Sequence, residues 1–346
     1  MRGIFWEVTA RCNLRCKHCY LLDELTYPSQ PTNELNTEDC LKIVDQLEET
    51  NAFYVTVLGG EPFARPDIMT ILRYMGEKKF WTKITTNGTL INEGIACDLA
   101  DIGIKGVNVS LEGPNAEMND AIRGKGSFKK AVRAIDYLHN FGIPTWVMMT
   151  VNKMNYTSIE KTAHFFLNTG VEKVVFKFYV DFPSSSFSSI MMLDREETFA
   201  AAKKISEVKA KYPKGFISGD FGQVLGFLSP ESKTAYNDSR FVRCGLGLSQ
   251  LIILNNGDVI SCVYIRDIIL GNVMETHLSE IQNSSEFQKI RKLRTLTVDE
   301  ANEQCSTCEW KYFCGGGCRG RAYLSHNCLS APDPRMCLLA RGEMYG

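Results

Sequence analysis

Short apolar runs alternate with longer amphipathic stretches from residue 3 to about residue 180. The apolar runs are rich in Val, Ile and Phe and predict six strands, GIFWEVT, FYVTVLGG, KITTNG, GVNVSL, TWVMMTV and KVVFKFYV. Apolar positions at helical spacing predict helices between them, including residues 37–50, 67–79, 127–141 and 156–169. This alternation is typical of parallel strands that are buried on both faces, so the pattern predicts an α/β fold.

The number of repeats limits the architecture. Six β/α units are too few to close an eightfold barrel, so we expect an open, partial (β/α)6 TIM-like barrel with a wide mouth. Polar or glycine-rich stretches follow the first five strands: a cysteine-rich loop, then GGEP, TTNGT, SLEG and VNKMN. Because the carboxyl ends of parallel strands share one rim, we expect the reacting groups to gather there.

The second part of the chain has a different character. From about residue 220 cysteines become dense, glycines become frequent, and helical periodicity is weak outside SEIQNSSEFQKIRKLR. The stretch LSQLIILNNGDVIS predicts a β-hairpin, because Asn256 and Gly257 favour a turn with positive φ. We therefore predict two domains, a barrel over residues 1–215 and a smaller cysteine-rich domain over residues 216–346.

Composition and charge exclude several classes of partner. Of the 346 residues, 44% are hydrophobic, which is enough for a globular core. The 39 basic and 40 acidic residues leave a net charge of -1, so no long-range field attracts nucleic acid or an anionic membrane. No apolar run approaches the roughly 18 residues of a spanning helix, and no signal-peptide cleavage pattern follows the first strand. We expect a cytoplasmic protein without nucleic-acid or membrane partners.

The 13 cysteines are concentrated in two tight groups, which favours metal or cluster ligation over disulfides where no signal peptide is seen. Cys12, Cys16 and Cys19 form C-x3-C-x2-C directly after the first strand. Three thiolates do not complete a structural zinc site. A [4Fe–4S] cubane that is held by three thiolates keeps one iron open for a chelating molecule. We interpret His18, which lies inside this loop, as a solvated side chain.

The loop resembles that of the radical S-adenosylmethionine (SAM) superfamily, because an aromatic residue, Tyr20, follows its last cysteine and the loop opens a β/α repeat. The resemblance implies a [4Fe–4S] cluster whose open iron binds the amino and carboxylate groups of SAM. It also implies that an electron from the reduced cluster cleaves SAM into methionine and a 5'-deoxyadenosyl radical. A reducing partner such as flavodoxin or ferredoxin is expected to supply that electron.

The same resemblance implies which residues contact SAM. GGEP resembles the segment that meets the SAM amino group, where two glycines allow close approach of the backbone and Glu61 offers a carboxylate to a cation. Asn87 and Ser110 stand where related enzymes contact the ribose and methionine ends, and Arg123 resembles the arginine that clamps the SAM carboxylate. Asn152 is a further ribose candidate, and Tyr20 is expected near adenine. The expected SAM contacts are Tyr20, Gly59, Gly60, Glu61, Pro62, Asn87, Ser110, Arg123 and Asn152.

The cysteines of the tail resemble the seven-cysteine SPASM extension of radical SAM enzymes, which binds one or two auxiliary [4Fe–4S] clusters. They are Cys244, Cys262, Cys305, Cys308, Cys314, Cys318 and Cys337. The resemblance assigns the third, fourth, fifth and seventh of them to one cluster and the other three to the second. The eighth cysteine that the family often places between the first two is missing, so an open iron, Cys328 or a noncysteine ligand completes the three-cysteine site. A zinc ribbon, the competing interpretation, explains four cysteines but not seven.

The resemblance implies oxidation of a substrate after abstraction of a hydrogen atom. SPASM enzymes similar to this chain most often modify peptides, so we expect crosslinking or a related maturation of a ribosomally made peptide or a peptide-derived cofactor. Peptide maturases often carry an N-terminal winged helix, whereas the first strand here begins at residue 3. We therefore expect a separate leader-recognition protein or a short substrate. Asp181 and Asp258 are candidate bases, and Val263 stands where sulfatase maturases carry an acidic base.

Other functions remain open from the sequence. The opening FWEVTARCNLRCKHCY and the segment FCGGGCRGRAYLSHNCLSAPDPRMC also resemble radical SAM enzymes of tetrapyrrole and haem biosynthesis, which decarboxylate propionate side chains. Arg319 and Arg321 would then pair with carboxylates, although such arginines are more often surface residues or neighbours of a cluster. Sugar alcohol dehydrogenation is a third option. An electron carrier without catalysis is the alternative from a different class.

Overall fold

The computed structural model describes residues 3–25, 33–50, 52–182, 186–219, 221–233, 242, 244–247, 250–293 and 295–342. The strands are β1 Gly3–Glu7, β2 Tyr54–Leu58, β3 Trp81–Thr86, β4 Gly106–Ser110, β5 Thr145–Val151, β6 Lys173–Phe178, β7 Ile217–Gly219, β8 Gln250–Ile253, β9 Asp258–Ile260 and β10 Gly271–Asn272. They form one sheet in the order β10-β9-β8-β1-β2-β3-β4-β5-β6-β7.

The helices follow the strands as the amphipathic stretches predict. The α-helices are α1 Thr37–Glu49, α2 Ile68–Glu77, α3 Glu93–Ile102, α4 Ala116–Arg123, α5 Ser127–Asn140, α6 Ile159–Leu167, α7 Ser188–Met191, α8 Arg195–Lys211, α9 Gly222–Gly226, α10 Leu278–Ile281, α11 Ser285–Lys292, α12 Val298–Ala301, α13 Glu303–Ser306, α14 Lys311–Cys314, α15 Arg319–His326 and α16 Pro334–Arg341. Short 3-10 helices span Pro62–Ala64, Tyr156–Ser158 and Pro230–Lys233. No helix in these ranges is long and apolar enough to cross a membrane.

The six predicted strands pair in chain order, and all five of these pairings are parallel. Alternate residues such as Val55, Val57 and Ile84 are fully buried under the helices, as expected for strands that are covered on that face. The sheet ends at the separate edge strands β7 and β10, so it is open. The predicted partial barrel is confirmed.

The local start signals act as the sequence predicts. Asn36 caps α1, because its side-chain oxygen accepts a hydrogen bond from the backbone N–H of Asp39 at 3.0 Å. The stretch SEIQNSSEFQKIRKLR is two helices rather than one. Ser284 caps the second helix, α11, because its hydroxyl accepts a hydrogen bond from the backbone N–H of Phe287. This cap separates α11 from α10.

The sheet crosses the predicted domain boundary. Strand β7 pairs in parallel with β6, and β8 pairs in parallel with β1. The hairpin of β8 and β9 is confirmed for the described residues, and Gly257 has the φ of 90° that its turn requires. Residues 248 and 249 of the predicted hairpin lie outside the described residues. The cysteine-rich part of the chain therefore extends the sheet on the side of β1, next to the cysteine loop.

Candidate active site

The GGEP segment packs directly against the cysteine loop. The backbone N–H groups of Gly60 and Glu61 donate to the carbonyl oxygens of Thr9 and Arg11 at 2.8 and 2.7 Å. A Cβ atom on Gly59 or Gly60 would collide with those same two carbonyl oxygens. The glycines are therefore needed to bring this segment against the loop, whereas the sequence argument attributed them to the approach of a ligand.

Three thiols gather in the loop. Cys12 and Cys16 are buried and Cys19 is half-buried, and all three are free thiols. Burial raises the pKa of Cys12 to about 11 and that of Cys19 to about 12, and each pKa is raised further by the charge of neighbouring cysteines of the loop. Thiolates at such a place need a compensating positive charge, which an iron–sulfur core provides.

An ion-pair network lies behind the cysteine loop. Glu112, just beyond β4, has no exposed surface, and its Oε1 accepts hydrogen bonds from Arg123 Nε at 2.9 Å and from the ring of His18 at 3.2 Å. Although burial opposes it, Arg123 and His18 lower the pKa of Glu112 to about 2. Arg123 Nη1 lies 3.7 Å from Cys16 Sγ. The network thus places a positive charge against one cysteine sulfur.

His18 belongs to this network, and its interpretation as a solvated residue is wrong. Its side chain is only 9% exposed and contacts Glu112 through Nε2, while Nδ1 is buried without a partner among the described residues. The ring contacts the side chains of Glu112 and Arg123, and these two polar partners explain why it can be buried here. The guanidinium of Arg123 is engaged by the protein, so its contact with the SAM carboxylate stays a prediction.

Glu61 is a second buried carboxylate beside the loop. Burial raises its pKa to about 7, although it accepts hydrogen bonds from Thr86 Oγ1 at 2.7 Å and from the N–H of Asn87 at 2.7 Å. Its charge also contributes to the raised pKa of Cys12. Pro62 follows it as the first residue of a 3-10 helix and is buried. Glu61 therefore lies where it would favour a cationic ligand at the cysteine loop.

The side-chain amides of Asn87 and Asn152, at the rim, form hydrogen bonds within the protein. Asn87 Nδ2 donates to Asn13 Oδ1 at 3.0 Å, which ties the end of β3 to the cysteine loop. Asn152 is fully buried, and its side chain bonds the carbonyl of Thr150 and the N–H of Met154 within one turn. This burial does not favour the predicted ribose contact of Asn152. Ser110 is half-buried at the end of β4, and its contact with SAM stays a prediction.

Tyr20 and the tail meet at the end of β1. The hydroxyl of Tyr20 donates to Glu7 Oε1 at 3.2 Å, and its ring stacks on Phe182 with centroids 5.9 Å apart. Arg266 donates from two nitrogens to the carboxylate of Glu7, at 3.0 and 2.9 Å, and from two to Glu24. Tyr20 is thus held by partners that the sequence did not reveal, and its contact with adenine stays a prediction.

Replacing Arg266 by methionine should loosen the contact between the tail and the cysteine loop. The carboxylate of Glu7 is 2% exposed, and removal of its cationic partner leaves a buried charge, so we expect a loss of about 3 kcal/mol in the free energy of unfolding. Arg73→Met, which removes an exposed pair with Asp98, should cost less than about 1 kcal/mol. Urea unfolding of both variants measures the difference, and equal midpoints would contradict it.

Four tail cysteines line one small cavity. They are Cys305, Cys308, Cys314 and Cys337, and they share the cavity with Gly316 and Asp333. Burial, and then the charges of Asp333 and the other three cysteines, raise the pKa of Cys314. The structure therefore brings together the four cysteines that the resemblance assigned to one cluster.

The remaining three tail cysteines, Cys244, Cys262 and Cys318, form a separate group in which the charges of two raise the pKa of the third. Burial, followed by the charges of Cys318 and Cys244, raises the pKa of Cys262 to about 12. Cys328 is exposed instead, and its Sγ lies 3.2 Å from Ser330 Oγ. The structure thus favours an open position or a noncysteine ligand over Cys328 at the second auxiliary site.

The donor sets fit iron–sulfur clusters. The described His, Cys, Asp and Glu side chains form no group of three or more that converges on a single metal ion. Soft thiolates suit a cubane, in which each thiolate binds a different iron.

The two candidate bases differ in their surroundings. Asp258 is held within the hairpin by the side-chain amides of Asn256 and Asn272, at 2.7 and 2.9 Å. This is a structural role, and nothing in the geometry directs Asp258 toward a substrate. Asp181 follows β6 and lines a large cavity of about 1120 Å³. Of the two, only Asp181 lies where a substrate has room.

An open parallel barrel with a three-cysteine loop at its rim and a cysteine-rich tail defines an iron–sulfur enzyme that binds SAM. The chain belongs to the radical SAM superfamily. The model of the radical SAM superfamily matches residues 6–166, and the model of the SPASM iron-sulfur cluster-binding domain matches residues 244–309. The chain therefore takes a [4Fe–4S] cluster and SAM in its radical SAM domain and auxiliary iron–sulfur clusters in its SPASM domain.

Known relatives differ in their activities. Mycofactocin maturase MftC of Mycolicibacterium smegmatis is 30% identical over 333 residues, which cover 95% of this chain and 81% of the maturase. The AdoMet-dependent heme synthase of Methanosarcina barkeri is 30% identical over 354 residues, which cover 99% of this chain and 97% of the synthase. The structure of Streptococcus suis SuiB bound to S-adenosylmethionine has a similar fold, with a TM-score of 0.77 and 20% identity over 97% of this chain and 76% of SuiB.

Proposed function

We propose that this radical SAM/SPASM enzyme oxidatively modifies a peptide, by crosslinking or a related maturation of a ribosomally made peptide or a peptide-derived cofactor. The observation that carries the proposal is the cavity of about 1120 Å³ between the end of β6 and helices α15 and α16. Pockets for single small molecules measure roughly 300–1,000 Å³. A cavity above this range has room for an extended peptide segment.

The lining of this cavity suits a peptide with polar groups of both signs. Its acidic residues include Asp181 and Glu196, and its basic residues include Lys153, Arg195 and Arg335. Such a mixture favours a chain that carries both donors and acceptors over a ligand of uniform charge. Two similar proteins support the same proposal. MftC is named as a maturase, and the structure of SuiB has been solved with its precursor peptide SuiA.

Aromatic contacts connect the cysteine loop with the chain beside the cavity. Asp181 precedes Phe182, whose ring contacts Tyr20 at 5.9 Å and Tyr264 at 5.6 Å between centroids. Tyr20 directly follows Cys19, so the cavity rim is two side chains away from the loop. The proposal therefore places the substrate beside the segment that packs against the cysteine loop.

When bound, the cofactors supply a 5'-deoxyadenosyl radical for hydrogen abstraction and clusters that accept an electron. The chain contributes the orientation of the substrate and the removal of a proton. Asp181 is the candidate base, because it borders the cavity and accepts a hydrogen bond from Tyr179 at 3.4 Å. A separate leader-recognition protein and a flavodoxin or ferredoxin as reductant belong to the same proposal.

A tetrapyrrole is the second candidate substrate. The heme synthase relative matches nearly its full length, and Arg321 and Arg335 line the same cavity, where they would meet propionate groups. Among the described residues, the guanidinium of Arg335 donates to the backbone carbonyl of Leu193 and to the hydroxyl of Thr198, and burial lowers its pKa to about 10. An incoming carboxylate would pair with it.

One assay separates the two candidates. Reconstituted enzyme is incubated with dithionite, SAM and either peptides encoded beside its gene or Fe-coproporphyrin III, and 5'-deoxyadenosine and product mass are measured. The proposal predicts that a peptide, but not the porphyrin, stimulates 5'-deoxyadenosine formation. The mass of that peptide should decrease by the mass of hydrogen or of a larger fragment. Loss of carbon dioxide from the porphyrin, with no change in any peptide, would establish the second candidate instead.

A blocking variant tests the cavity itself. Leu338→Trp fills part of the cavity that Leu338 lines, so we expect the KM for the substrate to rise at least tenfold. The matched control is Leu228→Trp, because Leu228 is 54% exposed and is not among the residues that line the cavity. Steady-state kinetics of both variants measure the effect. An unchanged KM in Leu338→Trp would place the substrate elsewhere.

A further inference from the structure

Arg319 is a buried cation with unused donors. It is the first residue of α15, directly after Cys318, and only 2% of its surface is exposed. Its Nη1 donates to the carbonyl oxygens of Leu329 and Ala331 at 3.1 and 2.9 Å. Its Nε and Nη2 are buried and have no hydrogen-bond partner among the described residues. Such an arrangement is costly unless an anion meets these two nitrogens.

The neighbouring arginine shows the ordinary arrangement. Arg321 lies two residues further along the same helix and donates to both carboxylate oxygens of Asp333, with the shortest distance 2.6 Å. No ion pair of the described residues joins Arg319 to an aspartate or glutamate. The chain therefore leaves one arginine of this pair without an acidic partner, although it provides one for the other.

One of the unused donors, Nη2, lies beside a residue that lines the four-cysteine cavity. A Cβ atom placed on Gly316 would be 3.1 Å from Arg319 Nη2, so the guanidinium lies against this glycine. Gly316 lines the cavity together with Cys305, Cys308, Cys314 and Cys337. Arg319 Nη2 therefore lies next to a glycine that borders the space lined by these cysteines. An anion in that space would lie close to this nitrogen.

We propose that Arg319 donates Nε and Nη2 to the auxiliary cluster of Cys305, Cys308, Cys314 and Cys337 and raises its reduction potential. A [4Fe–4S] core with four thiolates is doubly negative when oxidised and triply negative after it accepts one electron. A buried guanidinium stabilises the more negative state more strongly, and hydrogen bonds to sulfur act in the same direction. Arg319 keeps its proton throughout, and no bond forms or breaks. The proposal rests on the family assignment but not on the identity of the substrate.

The test compares Arg319→Gln, Arg319→Lys and the exposed-arginine control Arg73→Gln. All three are built in a chain with Cys12, Cys16 and Cys19 replaced by alanine, so that only auxiliary clusters contribute to the spectra. Iron and sulfide content are measured first, and then the midpoint potential is followed by electron paramagnetic resonance during titration with dithionite. Neither measurement requires the substrate, so failure of this proposal is distinguishable from failure of the peptide proposal.

We expect Arg319→Gln to lower the midpoint potential of one cluster by at least about 59 mV. For a one-electron reduction this shift is a tenfold decrease in the equilibrium constant of reduction. Arg319→Lys keeps the positive charge but loses the planar guanidinium, so its midpoint potential should lie between those of Arg319→Gln and the parent. The midpoint potential of Arg73→Gln should equal that of the parent. An unchanged potential in Arg319→Gln at full iron content would overturn the proposal. If Arg319→Gln does not retain iron, recovery of iron in Arg319→Lys supports the proposal, and loss in both variants overturns it.

Discussion

Replacing Cys12, Cys16 and Cys19 by alanine is expected to abolish SAM cleavage. Cys12 and Cys16 are buried and Cys19 is half-buried in one loop, and we propose that the three thiolates hold the cluster that delivers the electron to SAM. We expect 5'-deoxyadenosine formation to fall to the level of the protein-free reaction and the iron content to fall by about four atoms per chain. Liquid chromatography of the reaction and iron analysis of anaerobically purified protein measure both quantities.

A matched control distinguishes cluster loss from general damage. Cys97 is a half-buried thiol on α3 in the same part of the chain, and Cys97→Ala should leave iron content and SAM cleavage unchanged. A variant of the tail, Cys314→Ala, should lose auxiliary iron but retain SAM cleavage without substrate. Continued 5'-deoxyadenosine formation by the triple alanine variant would show that SAM is cleaved elsewhere.

Removing the carboxylate of Glu112 should give the largest loss of stability. Glu112→Ala leaves Arg123 and His18 in a buried place without their acidic partner. Breaking a buried ion pair by removal of one partner costs about 3–5 kcal/mol in the free energy of unfolding. Glu48→Ala is the control, because Glu48 forms an exposed pair with Lys78 and its loss should cost less than about 1 kcal/mol. Anaerobic urea unfolding at pH 7 compares the two.

The pH dependence of stability provides a second readout for Glu112. Its pKa is about 2 in the folded chain, below its ordinary value of 4.5, so ionised Glu112 stabilises the fold fully above pH 4.5. This contribution is lost as the pH falls from 4.5 toward 2, and it amounts to about 3 kcal/mol. The unfolding midpoint of Glu112→Gln should therefore decline less steeply over this range than that of the parent. Parallel declines would contradict the account.

Local signals predicted much of the fold. The strand TWVMMTV spans Thr145–Val151 as predicted, and the helix predicted over residues 37–50 is α1, Thr37–Glu49. Each depends on periodicity and capping within a few residues, which the sequence displays directly. The grouping of the tail cysteines also followed from spacing and resemblance, and the cavity that Cys305 and Cys337 share agrees with it.

The partners of buried charges were not predictable in the same way. Glu112 follows Ser110 in the stretch SLEG, yet only the fold shows that it meets Arg123 eleven residues away together with His18. Arg266 reaches Glu7 across more than 250 residues, and no local pattern marks that pair. Which acid meets which base depends on tertiary packing, so such networks stay invisible in one sequence.

The most direct test of the central claim is the spectrum of the loop cluster with and without SAM. The tail cysteines Cys262 and Cys314 are replaced by alanine so that the loop cluster dominates, and the dithionite-reduced protein is examined by electron paramagnetic resonance. We propose that SAM binds the iron that Cys12, Cys16 and Cys19 leave open, and we therefore predict that SAM changes the spectrum. A spectrum that is indifferent to SAM, or zinc in place of iron at the loop, would contradict the account.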